Sequence, residues 1–190
     1  NVRRSGLNPW TFSAFNGAFA DGYRYTLIPS GRDLALNDEP ATVSYTFTVD
    51  RTTPTSKVSV PAHSGFVTGT VVVSGTAEDM FCALNVALCD NPGPGRRYES
   101  GIAASSVTVA LERVDDGFFW NGNSFVDTTG TSLWSTATFV GTSSGIWTYN
   151  LPPSALTSPK NYKVSARVNH DRAGNIQTVI TTNTFTYDTT

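Results

Sequence analysis

The chain has 190 residues, of which 39% are hydrophobic, 12% aromatic and only 15% charged, with a formal net charge of −2. This balance excludes a disordered polyelectrolyte, which is charged and poor in aromatics. It also argues against nucleic acid as a partner, because the 13 Lys and Arg form no basic stripe to neutralise phosphates. No apolar run of 18 residues occurs, so no membrane insertion by a helix is expected.

Apolar residues recur two apart, which is the strand period, and no window keeps a helical period over several turns. Thr and Val are abundant, and β-branched side chains fit a pleated surface. In chain order, strands are predicted over 10–15, 23–28 and 42–49, then 57–60 and 70–77, followed by a long loop. Strands at 107–114 and 118–120 lead into the turn Asn121-Gly122, and 124–127 leaves it. An Asn-Gly pair is a strong hairpin signal because both centres of such a turn need positive φ. Segments 133–140, 147–151, 162–169 and 178–187 complete the set. Seven or more short strands, with turn signals between them, describe an antiparallel β-sandwich. Trp134, Trp147, Tyr162, Val164 and Phe185 are the expected core.

The chain repeats itself. "YTFTVDRTTP" (45–54) returns as "NTFTYDTT" (183–190), which places Asp50 and Asp188 138 positions apart (188 − 50). At the same spacing Asp33, Ala35 and Asn37 match Asp171, Ala173 and Asn175. "GYRYTL" (22–27) lines up with "NYKVSA" (161–166) at 139, and "PWTF" (9–12) with "IWTY" (146–149) at 137. Ordered blocks at a near-constant interval are the mark of tandem units. The reading is a partial module over 1–52, holding late strands only, and a complete module over 53–190. The first residues lie inside a module, so the expectation is a piece of something longer.

The motifs "VSGTAED", "SVTVALERVDDGFFWNGNSF", "WTYNLP", "YKVSARV", "DRAGN" and "FTYDTT" together resemble bacterial immunoglobulin-like repeats, which occur in tandem in large extracellular surface and adhesin-type proteins. The likeness covers 53–190 and about 10–54. It implies an immunoglobulin-like sandwich in which Asp171, Ala173, Gly174 and Asn175 form the turn between the last two strands. The earlier copy departs from this pattern, with Leu36 where Gly174 stands. The likeness also makes Asp50, Thr52, Thr53, Pro54 and Asp188 residues of module junctions. Pro54 fixes its own φ and holds Thr53 extended, so the junction is short and semi-rigid.

Candidate sites follow. Cys82 and Cys89 are the only cysteines, and in an oxidising compartment two cysteines usually pair, so the expectation is a disulfide that pins the long loop; the alternatives are two buried thiols or a metal site, for which two thiolates with no nearby His are poor zinc ligands. In related repeats acids at strand ends hold calcium, which makes Asp50, Glu78, Asp79 and Asp171 candidate ligands, with Asp90 and Asp188 as further strand-end acids. The opposing reading is solvated turn formers. No other cofactor is implied. His63 and His170 read as turn-end polar residues, not as members of a catalytic relay. Lys57 and Asn183 could make an isopeptide bond only if both were buried beside an acid. Trp10, Trp120 and Trp134, with Phe118 and Phe119, could offer a stacking platform for a glycan.

The resemblance implies a structural, non-enzymatic module of a bacterial cell-surface protein, in an adhesin stalk or a filament. Its partners would be adjacent modules of the same chain or neighbouring identical subunits. The alternative is a carbohydrate-binding accessory module of a secreted hydrolase.

Overall fold

The computed structural model describes residues 19–40, 43–80, 98–152 and 154–190. Among them no helix occurs, and the strands in chain order are β1 Tyr23–Leu27, β2 Tyr45–Val49, β3 Thr55–Val60, β4 Gly65–Val67, β5 Val72–Glu78, β6 Val107–Arg113, β7 Phe118–Trp120, β8 Phe125–Val126, β9 Ser135–Thr136, β10 Thr138–Gly141, β11 Ser144–Asn150, β12 Lys160–Val168 and β13 Thr181–Tyr187.

From β3 onward the strands form two sheets. One runs β10-β11-β5-β3; the other runs β4-β13-β12-β6-β7-β8, with β9 also on β6. All pairs are antiparallel except β13 with β4. Period-two alternation sends every second side chain inward: along β12, Tyr162, Val164, Ala166 and Val168 are buried and the residues between them are not. Val73, Phe139 and Trp147 from the smaller sheet meet Val109, Leu111, Tyr162, Val164 and Phe185 from the larger one in a single core. The result is a β-sandwich. Each large side chain so buried contributes roughly 1.5–3 kcal/mol. Trp147 reaches full burial because its β5 partner is Gly75. A Cβ on Gly75 would lie 1.8 Å from the Lys57 carbonyl oxygen and 2.6 Å from the Trp147 ring.

Several sequence expectations shift. The strand predicted over 133–140 changes sheets: Ser135–Thr136 pairs with β6, and Thr138–Gly141 pairs with β11. Trp134, at the start of this switch, is half-buried, with the Arg167 guanidinium 4.1 Å over its ring, so it is not core. The other four expected core residues are buried. The Asn121-Gly122 hairpin forms, with Trp120 opposite Phe125. Its loop is wider than a two-residue turn, however: only Gly122 has positive φ, and the Asn121 side chain accepts from the amides of Asn123 and Ser124.

Ahead of β3, β1 and β2 pair antiparallel and repeat the geometry of β12 and β13. Tyr25 stands opposite Phe47, ring centroids 5.7 Å apart and 26° between planes; Tyr162 stands opposite Phe185 at 5.5 Å and 24°. Ala20 N donates to the Tyr25 hydroxyl at 2.7 Å, as Thr157 N does to the Tyr162 hydroxyl at 2.8 Å. Tyr25 is therefore the counterpart of Tyr162, at spacing 137 (162 − 25), which corrects the alignment at 139 that matched Tyr23 to it. The predicted strand 10–15 lies outside the described residues.

Candidate metal centre

Three carboxylates from distant parts of the sequence meet where β2 passes into β3. Asp50 follows β2, Asp79 follows β5, and Asp171 opens the turn between β12 and β13. Each offers an oxygen within 4.8 Å of the others.

Local hydrogen bonding fixes all three. Asp171 closes its turn on Asn175: Oδ1 accepts the Asn175 amide at 2.8 Å and Oδ2 accepts Asn175 Nδ2 at 2.8 Å. Gly174, at φ 92°, supplies the left-handed step that this turn needs. Asp79 N donates to the Ser143 carbonyl at 2.7 Å, and Asp79 Oδ2 accepts from Gly101 N at 2.7 Å and from Ser100 Oγ at 3.3 Å. Asp50 Oδ1 accepts Thr52 N at 3.0 Å, the i to i+2 bond of an Asx turn. Its Oδ2 accepts Ser100 N at 2.6 Å, and its carbonyl accepts Asn175 Nδ2 at 3.1 Å. Ser100 and Asn175 thus fasten the segment before the sandwich to the sandwich itself. Pro54, fully buried, ends the five-residue joint 50–54, in which Thr52 is half-buried and Thr53 exposed.

The electrostatics are unbalanced. Asp79 and Asp171 are buried and Asp50 is half-buried. None of the ion pairs among the described residues, which join Arg32 to Asp38, Arg113 to Asp116, Lys160 to Asp115 and Lys163 to Glu112, reaches the group. Asp79 Oδ1 is buried with no hydrogen-bond partner. Burial, together with the nearby charge of Asp50, pushes the Asp79 carboxyl up to about 6, although the Gly101 amide works in the opposite direction. Buried charges are normally paired or bound to metal. An all-oxygen set without His or Cys suits a hard cation, and calcium, which takes six to eight oxygens, accepts carboxylates in one- or two-oxygen contact. The donors present fit such an ion: Asp50, Asp79 and Asp171 would hold it, with Asp79 Oδ1 the oxygen that most needs it.

Glu78, also a candidate, is not in this group. It is the last residue of β5, and successive side chains along a strand point to opposite faces. Asp188 sits at the far end of the sandwich's last strand. Its carboxyl is held below the usual range by hydrogen bonds from the Thr190 hydroxyl and amide. Cys82, Cys89, Asp90 and Trp10 lie outside the described residues. Phe119 and Trp120 are buried, with Trp120 Nε1 donating to the Tyr149 hydroxyl, so they present no platform. His63 Nδ1 accepts from Thr184 N, and His170 Nδ1 lies 3.1 Å from the Asp171 carbonyl oxygen, not its carboxylate. Lys57 is exposed, and Asn183 Nδ2 donates to the carbonyls of Val58 and Pro61. Ser100 was not foreseen; a single Ser in a turn-rich stretch carries no signal of its own. No protein-family model matches the chain, and no curated protein does either.

Proposed function

We propose that residues 53–190 are a structural, non-enzymatic immunoglobulin-like module of a bacterial extracellular surface protein, joined to the segment before it by a calcium-stiffened hinge. The observation that carries this reading is the buried, unpartnered Asp79 Oδ1 beside Asp171 and the incoming Asp50. Two carboxylates come from the sandwich and one from the preceding segment, so a bound cation would draw both sides of the joint together. A spacer needs this: a short joint stays straight under load only if its two sides are tied. On this reading the partners of the module are adjacent modules of the same kind, in one chain or in neighbouring subunits.

Calcium titration followed by calorimetry and thermal unfolding tests the proposal. One calcium per chain is expected, with Asp50→Asn, Asp79→Asn and Asp171→Asn each abolishing it. At a hundredfold excess over Kd, one site stabilises by about 2.7 kcal/mol. No heat of binding and no change in unfolding between calcium and chelator would remove the hinge from the proposal.

A further inference from the structure

Three steps among the described residues join an acid or its amide to glycine: Asp21-Gly22, Asp116-Gly117 and Asn121-Gly122. Asn16-Gly17 lies outside the described residues. At such a step the glycine nitrogen can attack the carbonyl carbon of the preceding side chain, since no Cβ on the glycine obstructs it. Two of the three are closed to this chemistry. Gly22 N donates to the Val49 carbonyl at 2.8 Å, and the Asp21 carboxylate accepts Arg51 N and the Thr52 hydroxyl. Gly117 N donates to the Arg113 carbonyl at 2.9 Å, and the Asp116 carboxylate is bound by the Arg113 guanidinium. In both, the nitrogen's proton is engaged, and the carbon to be attacked belongs to an anion, which resists a nucleophile.

Asn121-Gly122 differs in all three parts of the reaction. Among the described residues Gly122 N donates no hydrogen bond, so the nucleophile is free. Asn121 Oδ1 accepts the amides of Asn123 and Ser124, each at 2.9 Å. Those amides lie beyond Gly122, so the bonds fold the side chain forward over the Gly122 peptide. They also point at the oxygen on which negative charge develops when Cγ is attacked, the arrangement of an oxyanion hole. Asn121 Nδ2, the leaving group, makes no hydrogen bond among the described residues. The Nδ2 atoms of Asn37 and Asn175, in contrast, are tied to Asp33 and Asp171. Asn121 and Gly122 are exposed, and the space around Gly122 is open, so water and hydroxide reach them.

We propose that Asn121 is a self-modification site, at which the fold promotes cyclisation onto Gly122. Hydroxide removes the Gly122 amide proton. The nitrogen bonds to Asn121 Cγ, and the carbonyl electron pair moves onto Oδ1 between the two amides. As the carbonyl re-forms, the Cγ–Nδ2 bond breaks and Nδ2 leaves as ammonia, taking a proton from water. Water then opens the succinimide at either carbonyl, and nothing is oxidised or reduced. Opening at one carbonyl gives aspartate, whose oxygens still accept the two amides. Opening at the other gives isoaspartate, which lengthens the main chain by one carbon between Trp120 and its partner Phe125. Trp120 is buried, so the second product loosens a corner of the core.

The test incubates the full chain in mildly alkaline buffer, folded in one sample and unfolded by guanidinium in another. Peptide mapping by mass spectrometry follows each site. Gly122 N is free in both samples, so their ratio reads what the fold adds. Asn121 should convert about tenfold faster in the folded chain, since orientation and the paired amides both act there. Isoaspartate at Asp21 and Asp116 should form in the unfolded chain only. Ser124→Pro removes one donor from Oδ1 and leaves Gly122 in place, and should slow the folded reaction severalfold. Near-UV circular dichroism of the Trp147 core establishes that this variant is folded, and the comparison of folded with unfolded chain decides the matter where it is not. A folded rate at Asn121 equal to or below the unfolded rate overturns the proposal, as does a folded Ser124→Pro chain that converts as fast as its parent.

Discussion

Phe47 and Phe185 occupy one position in two copies of a hairpin, each stacked on a tyrosine across the strand pair, yet they live in different environments. Phe185 is 1% exposed and Phe47 is 39% exposed. The difference is not in the hairpin. β12 has β6 on its far edge and β3 and β5 across the core, whereas β1 pairs with β2 alone among the described residues. Local sequence therefore sets strand, register and ring stacking in both copies. Burial, which supplies most of the free energy, comes from strands far away in the sequence. An isolated strand pair is marginal for this reason.

The sharpest way to break this comparison is to remove the same ring from both sites. Phe185→Ala should cost about 3–5 kcal/mol, as full truncation in a closed core does. Phe47→Ala should cost about 1 kcal/mol, because less area leaves water there. Urea unfolding followed by Trp fluorescence gives both values. Equal losses would mean that residues 19–52 possess a core as complete as that of 53–190.

A second contrast sets Asp79 against Asp33. Both are strand-end or turn acids, but Asp33 is exposed and its carboxyl is held below the usual range by hydrogen bonds from the Asn37 side chain and amide. Asp79→Asn should abolish the calcium-dependent gain of about 2.7 kcal/mol at a hundredfold excess over Kd. Asp33→Asn should leave that gain intact. A calcium response that survives Asp79→Asn would place the ion elsewhere.

The same pair separates by pH once calcium is chelated. Burial, with the charge of Asp50 nearby, pushes the Asp79 carboxyl in the fold up to about 6, above the ordinary carboxylate range. A carboxyl raised by folding favours the folded state fully below its unfolded value, and this contribution is lost as pH rises through the folded value. Thermal stability of the chelated chain should therefore fall as pH climbs from about 4 to about 7, and Asp79→Asn should flatten that slope. Asp33, lowered by folding, acts in the opposite sense and only below its unfolded value. A slope over pH 4–7 that persists in Asp79→Asn would assign it to other groups.

How far all this was legible depends on the range of the interaction. The period-two strands, the hairpin at Asn121-Gly122 and the Asp-to-Asn turns are local, and their residues announce them. The repeat was visible, but the block around Tyr23 and Tyr25 offers two tyrosines two apart on one strand face. Only the cross-strand partner Phe47 selects Tyr25. β4 is three residues long and pairs in parallel with a strand more than a hundred positions away, so no alternation or turn marks it. In the carboxylate cluster Asp50, Asp79 and Asp171 are all candidates from the sequence, as is Glu78. Choosing Asp79 over Glu78 needs the exact residue at which β5 ends. Ser100, which binds both Asp50 and Asp79, is placed by tertiary packing alone.

The smallest expected effect concerns a turn that succeeds without its glycine. Leu36 and Gly174 are 138 apart and both have positive φ, 72° and 92°. The surrounding bonds agree closely: Asn37 N to Asp33 Oδ1 and Asn175 N to Asp171 Oδ1 are each 2.8 Å, as are the two side-chain amide bonds. A leucine in this region carries about 1 kcal/mol of strain or more, since its Cβ crowds the backbone. Leu36 is 66% exposed, so packing repays little of it. The Asp33–Asn37 bonds, the Leu36 N bond to the Asp33 carbonyl and the Arg32 guanidinium, which donates to the Leu36 carbonyl at 3.2 Å and pairs with Asp38, hold the turn against that strain. Leu36→Gly should relieve it, while the added freedom of glycine in the unfolded chain takes back part of the gain. The net is about 0.5 kcal/mol in favour of the turn. It should appear as roughly twofold slower hydrogen exchange at the Asn37 amide, with global unfolding unchanged. Gly174→Leu should show the converse at the Asn175 amide, and more strongly, because Asn175 also holds the Asp50 carbonyl and its loosening reaches the joint. If Leu36→Gly instead speeds exchange at Asn37, the leucine contributes packing that outweighs its strained backbone, and the two turns are alike in shape for different reasons.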